Sequence, residues 1–109
     1  MARGDIVSIA TGSGFGSKPR PAIVIQSDAF ADLGSVTVCL LTSQEISADL
    51  LRPQIRPSPE NGLNAISHLM IDKLMSVRLD KVGRHIGQLS RADMARVDQA
   101  LKAFLDLAG

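Results

Sequence analysis

Along this chain the apolar positions fall first into short runs and then, at the end, into one long helical stripe. Residues 5–10 set Ile6, Val7 and Ile9 among polar neighbours and read as a short strand. Pro21-Ala22-Ile23-Val24-Ile25-Gln26 is nearly all apolar and β-branched at its centre, which predicts a strand buried on both faces. Between these two runs lies Thr11-Gly12-Ser13-Gly14-Phe15-Gly16-Ser17-Lys18, a flexible loop with three glycines in five positions. Residues 35–42 are rich in valine, threonine and leucine and predict a third strand. A polar connection over 43–49 precedes a stretch broken by Pro53, Pro57 and Pro59, and a strand there must be an edge because proline has no N–H to give a ladder. Asn61-Gly62 is a turn signal. Residues 65–71 and 84–89 are further strand candidates.

The last segment changes period. Ser90-Arg91-Ala92-Asp93 resembles a capping box with Asp93 in the usual glutamate position. Met94, Val97, Leu101, Phe104, Leu105 and Ala108 then recur mostly at steps of three and four, forming one apolar helix face, while Arg91, Arg96, Gln99, Lys102 and Asp106 fall largely elsewhere. Short strands, turn signals and one closing helix predict a mainly β protein with α: a small antiparallel barrel, one domain over residues 1–109, with the C-terminal helix packed on it.

Composition sharpens this picture. A chain of 109 residues with 45% apolar content is expected to fold around its own core. Aromatic residues make up only 3%, with no Trp and no Tyr, so aliphatic side chains must fill that core. The formal net charge of +1 gives no general polyanion signal. Residues 72–84 nevertheless bring Lys73, Arg78, Lys81 and Arg84 together against Asp72 and Asp80, either a local basic surface or ordinary solvated charge. Cys39 lies within an apolar run and reads as a buried strand residue. The charged start, Met1-Ala2-Arg3-Gly4-Asp5, argues against a signal peptide, and no apolar stretch approaches the roughly 20 residues of a membrane span. The expected location is cytoplasmic.

Several chemistries lose support. Gly12-x-Gly14-x-Gly16 lacks the Gly-Lys-Ser/Thr of a phosphate-binding loop, and no helix pattern follows it as a dinucleotide fingerprint requires. His68 and His85 have no cysteine or acid at a metal-ligand spacing, so no metal site and no cofactor is expected. Arg20 is the informative residue. It stands between Pro19 and Pro21, which stiffen the backbone where the flexible loop enters a buried strand. An arginine held there is suited to a phosphate, because its planar fork grips two oxygens at once; a rigid strand entry carrying a solvent-exposed arginine is the plainer alternative.

Taken in order, the motifs resemble a known family. Arg3-Gly4-Asp5-Ile6-Val7, Arg20-Pro21-Ala22-Ile23-Val24-Ile25-Gln26-Ser27-Asp28, Leu41-Thr42-Ser43, Asn61-Gly62-Leu63, Ser67, Asp72, Ile86-Gly87-Gln88-Leu89-Ser90 and Val97-Asp98-Gln99-Ala100-Leu101 are similar to the MazF/PemK (Kid) toxin endoribonucleases over nearly the whole chain. The resemblance implies an SH3-like β-barrel of the CcdB/PemK type, a homodimer, cleavage of single-stranded RNA at a short sequence motif, and a cognate antitoxin partner. It also implies that Arg20 and Thr42 are the catalytic pair, and that Ser43, Asp72 and the loop leading to Lys18 contact RNA. Lys73, the basic neighbour of Asp72, is placed with them. Phe15, the aromatic ring of the flexible loop, either stacks on a base or folds down over the barrel.

Such chemistry needs no metal: the ribose 2′-hydroxyl attacks the adjacent phosphorus, and the protein stabilises the charge that develops. Arginine is a poor base, its pKa lying above about 12. Asp72 is therefore the first candidate for the general base, with His68 second. The chain departs from the family's pattern at Met70 and Met75, where relatives carry arginines. Two other classes compete. A CcdB-like gyrase poison shares the fold but is associated with a C-terminal Trp-Gly-Ile, and this chain has no Trp. A non-catalytic SH3-like binding module commonly binds through exposed Trp and Tyr, and this chain has neither.

Overall fold

The computed structural model describes residues 1–10, 18–44 and 52–108. β1 (Asp5–Ile9), β2 (Arg20–Val24), β3 (Ser35–Thr42), β4 (Gln54–Ile55), β5 (Ser67–Arg78) and β6 (Val82–Gln88) are followed by one helix, α1 (Arg91–Leu105). The strands form a six-stranded antiparallel sheet in the order β4-β5-β3-β2-β1-β6, curved into a half-barrel. The expected mainly β architecture with a C-terminal helix is what forms. The proline-interrupted stretch supplies β4, which is an edge strand as proline requires.

Alternation along the central strands feeds two clusters on opposite faces of the sheet. Ile6, Ile23, Cys39, Leu41, Leu69 and Ile71 pack against Val97, Ala100 and Leu101 of α1. On the other face Val7, Ile9, Ala22, Val24, Val36, Val38 and Val77 form a second, valine-rich cluster. Ile23 and Val38 are both 0% exposed, so β2 and β3 are indeed covered on both sides. A fully buried Ile or Leu contributes about 1.5–3 kcal/mol. Burial over these two clusters therefore outweighs anything the surface ion pairs add, at about 0–1 kcal/mol each.

One strand runs longer than the sequence reading, and one turn is more deeply braced than its signal indicates. β5 does not stop at Ile71 but continues to Arg78. Leu41 pairs with Leu69 and Cys39 with Leu74, so residues 70–73 are taken up opposite Leu40 alone. That irregularity breaks the period-two pattern, and the strand's second half is hidden behind it. The Asn61-Gly62 signal does fall on a turn, closed by Gly62 N donating to Ser58 O at 3.1 Å, though the turn joins no tight hairpin. Asn61 is 2% exposed. Its side-chain oxygen accepts from the N–H groups of Ser58 and Leu63, both at 3.0 Å, and its amide donates to Arg56 O at 2.8 Å. Gly62 has φ +68°, and a Cβ there would meet Ile86 O at 2.3 Å. A Cβ on Gly87 would likewise lie 2.3 Å from the Asn61 carbonyl. Gln88 N donates to Glu60 O at 2.9 Å, so this loop bridges from the β4 side of the sheet to β6, the opposite edge.

Ser90 caps α1 as expected, its hydroxyl accepting from Asp93 N at 3.1 Å. The Asp93 carboxylate, which a capping box would turn back, is instead engaged by Arg96 at 3.1 Å. The helix ends at Leu105 with Asp106 in the left-handed region at φ 57°, and Phe104 and Leu105 are exposed rather than buried with Val97 and Leu101.

Replacing Asn61 by alanine strips three backbone groups of their partner in a buried site. Each such group costs about 1–3 kcal/mol when left unsatisfied, with water expected to recover part of it. Asn61→Ala should therefore lower unfolding free energy by about 2–4 kcal/mol in denaturant titrations. Gly62→Ala, which adds a backbone clash, should destabilise as well. Wild-type stability in both variants would mean that the loop is not braced as described.

Candidate active site

Arg20 opens β2 and Thr42 closes β3, so both stand at the same end of the sheet. Ala22 pairs with Leu40 and Val24 with Val38; continued one step further, that register brings Arg20 opposite Thr42. Thr42 in turn pairs with His68 on β5. Cross-strand partners point to the same face, so Arg20, Thr42 and His68 form one row across three strands.

A cleft of about 320 Å³ lies over this end, lined by Arg20, Pro21, Leu41, Thr42, Ser43, Gln44 and Ser67. Arg20 is exposed and makes no ion pair or hydrogen bond among the described residues. Thr42 is half-buried, and its hydroxyl oxygen accepts the Gln44 N–H at 3.2 Å. That bond occupies one lone pair and leaves the hydroxyl proton free to be donated into the cleft. The arrangement offers an exposed cation and an oriented donor facing one small space. It suits an anion with several oxygens.

The other sequence-predicted residues are dispersed. Ser43 is in the cleft and exposed; Lys18, also exposed, precedes Arg20 on the same approach. Phe15 lies outside the described residues. Asp72 and Lys73 sit in the irregular stretch of β5 and do not line this cleft. Asp72 is held by a residue that sequence reasoning missed. Arg52 Nε and Nη2 donate to its two carboxylate oxygens, each at 2.9 Å. These hydrogen bonds hold the Asp72 carboxyl below its ordinary 3.8, with smaller help from the Lys73 charge. A carboxylate so held is a weak proton acceptor, which counts against Asp72 as general base. No local pattern announces the pair, because its partners are 20 residues apart.

His68, placed second as a base, is 7% exposed, and its Nδ1 has no hydrogen-bond partner among the described residues. Cys39 is 0% exposed, and burial, then the nearby Asp72 charge, pushes its thiol up to about 12, so it is inert as a nucleophile. Among the described residues no three His, Cys, Asp or Glu side chains gather as metal ligands would.

Family comparison matches residues 2–105 to the PemK-like, MazF-like toxins of type II toxin–antitoxin systems. A relative in Mycolicibacterium smegmatis, described as a probable endoribonuclease MazF, is 43% identical over 109 residues, covering 100% of both chains. Endoribonuclease MazF9 of Mycobacterium tuberculosis is 28% identical over 116 residues, with 98% of each chain covered. Among solved structures, a mycobacterial endoribonuclease in complex with its cognate antitoxin superposes with a TM-score of 0.80 at 19% identity, over 100% of this chain and 98% of that one. Mycobacterium tuberculosis toxin MazF-mt6 gives 0.78 at 23% identity, over 95% and 99%. The structures agree with this chain in fold.

The Arg52–Asp72 fork has a pH signature. A carboxylate whose folded pKa is depressed adds stability that is fully present above its ordinary 3.8 and is lost as pH falls through the folded value. Arg52→Ala should raise the Asp72 pKa back toward that value and flatten the loss of stability below about pH 4. Carboxyl-carbon NMR titration of both proteins reads this directly; unchanged Asp72 titration in the variant would show that the fork does not hold it.

Proposed function

The chain belongs to the PemK-like, MazF-like family of type II toxins and is an endoribonuclease, and from that premise we propose that it cuts single-stranded RNA at the cleft between Arg20 and Thr42, without a metal. The carrying observation is the Arg20 guanidinium, without a partner among the described residues, opposite Thr42, whose hydroxyl oxygen already accepts the Gln44 N–H.

The reaction this site supports is a transesterification within the RNA. The 2′-oxygen forms a bond to phosphorus as its proton departs, and the bond from phosphorus to the 5′-oxygen breaks as that oxygen gains a proton. No water is consumed, and the strand is left with a 2′,3′-cyclic phosphate facing a 5′-hydroxyl. Negative charge grows on the non-bridging oxygens on the way. Arg20 neutralises it and Thr42 donates a hydrogen bond to it, a differential stabilisation that lowers the barrier rather than merely tightening binding. Ser43 and Lys18 flank the cleft and hold the neighbouring backbone; Phe15, Asp72 and Lys73 complete the RNA contacts in this reading.

The functional unit we propose is a cytoplasmic homodimer inhibited by a cognate antitoxin. Exposed Phe104, Leu105 and Leu107 at the end of α1 leave apolar surface for an assembly to cover. An acidic antitoxin segment would compete with RNA for Arg20.

Arg20→Ala should reduce cleavage on the order of a hundred- to thousandfold while leaving the thermal transition in place, since the residue serves the cleft and not the core. Thr42→Ala should fall less. Products should carry 2′,3′-cyclic phosphate and 5′-hydroxyl ends, and EDTA should not stop the reaction. Near-wild-type cleavage by Arg20→Ala, or 5′-phosphate ends, would overturn the mechanism. Sedimentation at micromolar concentration tests assembly: a fully active monomer would contradict the dimer.

A further inference from the structure

A second cleft, of about 520 Å³, adjoins the first, and the two share Pro21 and Ser67 as lining residues. We propose that this second cleft holds the nucleotide next to the scissile phosphate, with Arg84 gripping its phosphate and Asn64 reading an edge of its base. The inference rests on the RNA-cleaving reading of the first cleft and adds a specificity site to it.

Size and lining favour a nucleotide. The volume falls within the roughly 300–1,000 Å³ of small-molecule sites. Pro21, Leu63 and Ile86 give it an apolar wall, against which a flat base can lie. Arg84 supplies a cation: its main-chain N–H is tied to Ser8 Oγ at 2.8 Å, while its guanidinium makes no ion pair among the described residues. Asn64 is exposed, and its amide has no hydrogen-bond partner among the described residues. An amide offers a donor and an acceptor side by side, the pattern that matches the edge of an unpaired base.

Rigidity is the second argument. Asn64 and Leu63 follow directly on Asn61 and Gly62, whose backbone is pressed against β6 so closely that a Cβ at Gly62 or Gly87 would stand 2.3 Å from a carbonyl oxygen. Asn61 fixes the same loop with bonds to Ser58, Leu63 and Arg56. A wall held this firmly can discriminate between bases, because it does not adjust to the wrong one. The phosphate contact made by Arg84 then sets the register of the strand, and Asn64 reads it.

The test uses the full chain with a long RNA, mapped cut sites, and short RNA oligonucleotides varied at one position on either side of the cut. Arg84→Ala should raise KM by about tenfold with kcat changed less than about twofold, and should lower the salt dependence of binding to a non-cleavable 2′-deoxy oligonucleotide by about one charge. Asn64→Ala should lower kcat/KM on the preferred sequence and relax base preference at one flanking position by about tenfold. Arg91→Ala, an exposed arginine at the start of α1, serves as the control and should change nothing. If wild-type protein cuts no RNA, the catalytic reading fails and takes this one with it. If wild-type protein cuts but both variants keep its KM and base preference, this proposal alone is overturned. A dimer that dissociates in Arg84→Ala with KM unchanged would overturn it too, by making the cleft an interface between copies.

Discussion

β3 hydrogen-bonds to β2 on one side and to β5 on the other, and its side chains are buried on both faces of the sheet. That double burial fixes its register. A slip of one residue would turn Val36 and Val38 toward the cluster under α1 and expose the places that Cys39 and Leu41 fill. It would also put Leu41 where Thr42 stands, opposite Arg20. The juxtaposition of Arg20 and Thr42 is thus a by-product of core packing. Arg20 and Thr42 need no direct bond to find each other, because Ile23 with Cys39, and Val24 with Val38, have already aligned the strands that carry them. Keeping Arg20 without a partner among the described residues, and Thr42 bonded only to the Gln44 N–H, costs the fold little, since neither side chain belongs to the core.

The loop around Asn61 supplies a second constraint of a different kind. A half-barrel with β4 and β6 as edges leaves main-chain groups on both sides without ladder partners. Here a loop, not a strand, reaches across: Gln88 N donates to Glu60 O, and glycines at 62 and 87 permit the contact. Backbone packed against backbone cannot tolerate a side chain between, so the glycines and the buried asparagine are needed together. The consequence reaches the surface, because the same loop forms one wall of the larger cleft.

Much of this was legible in the residues themselves, and the failures share a cause. β3 runs over Ser35–Thr42 as its β-branched pattern indicates, and Ser90 starts the helix it was expected to cap. Arg20 stood out because two prolines bracket it. What depended on distant partners stayed hidden. β5 looked complete at Ile71 because residues 70–73 are absorbed into an irregularity whose other side is Leu40. Asn61 read as a turn residue because composition cannot distinguish an exposed turn asparagine from one whose amide is buried and fully bonded. Arg52 carried no signal, since its role is defined by Asp72, 20 residues away on β5. The second cleft draws on β1, β2, the loop and β6, and no window of sequence contains it.

Charge shows the same dependence on pairing. A net charge of +1 over 109 residues predicts no attraction to a polyanion. Yet the acids are not free to oppose the bases evenly. Asp98 is paired with Arg3 at 2.7 Å, Asp72 with Arg52, Asp93 with Arg96 and Asp80 with Arg78. Asp5 is 8% exposed and accepts from the Ala2 N–H and the Gln88 amide, and Asp28 accepts from the Arg3 N–H. Arg20 and Arg84, one in each cleft, have no such partner among the described residues. These six acids are therefore engaged elsewhere, and none of them lines either cleft. Exposed pairs contribute little stability, about 0–1 kcal/mol each. Their larger effect here is on charge balance: they occupy Asp72, Asp80, Asp93 and Asp98 with arginines other than Arg20 and Arg84.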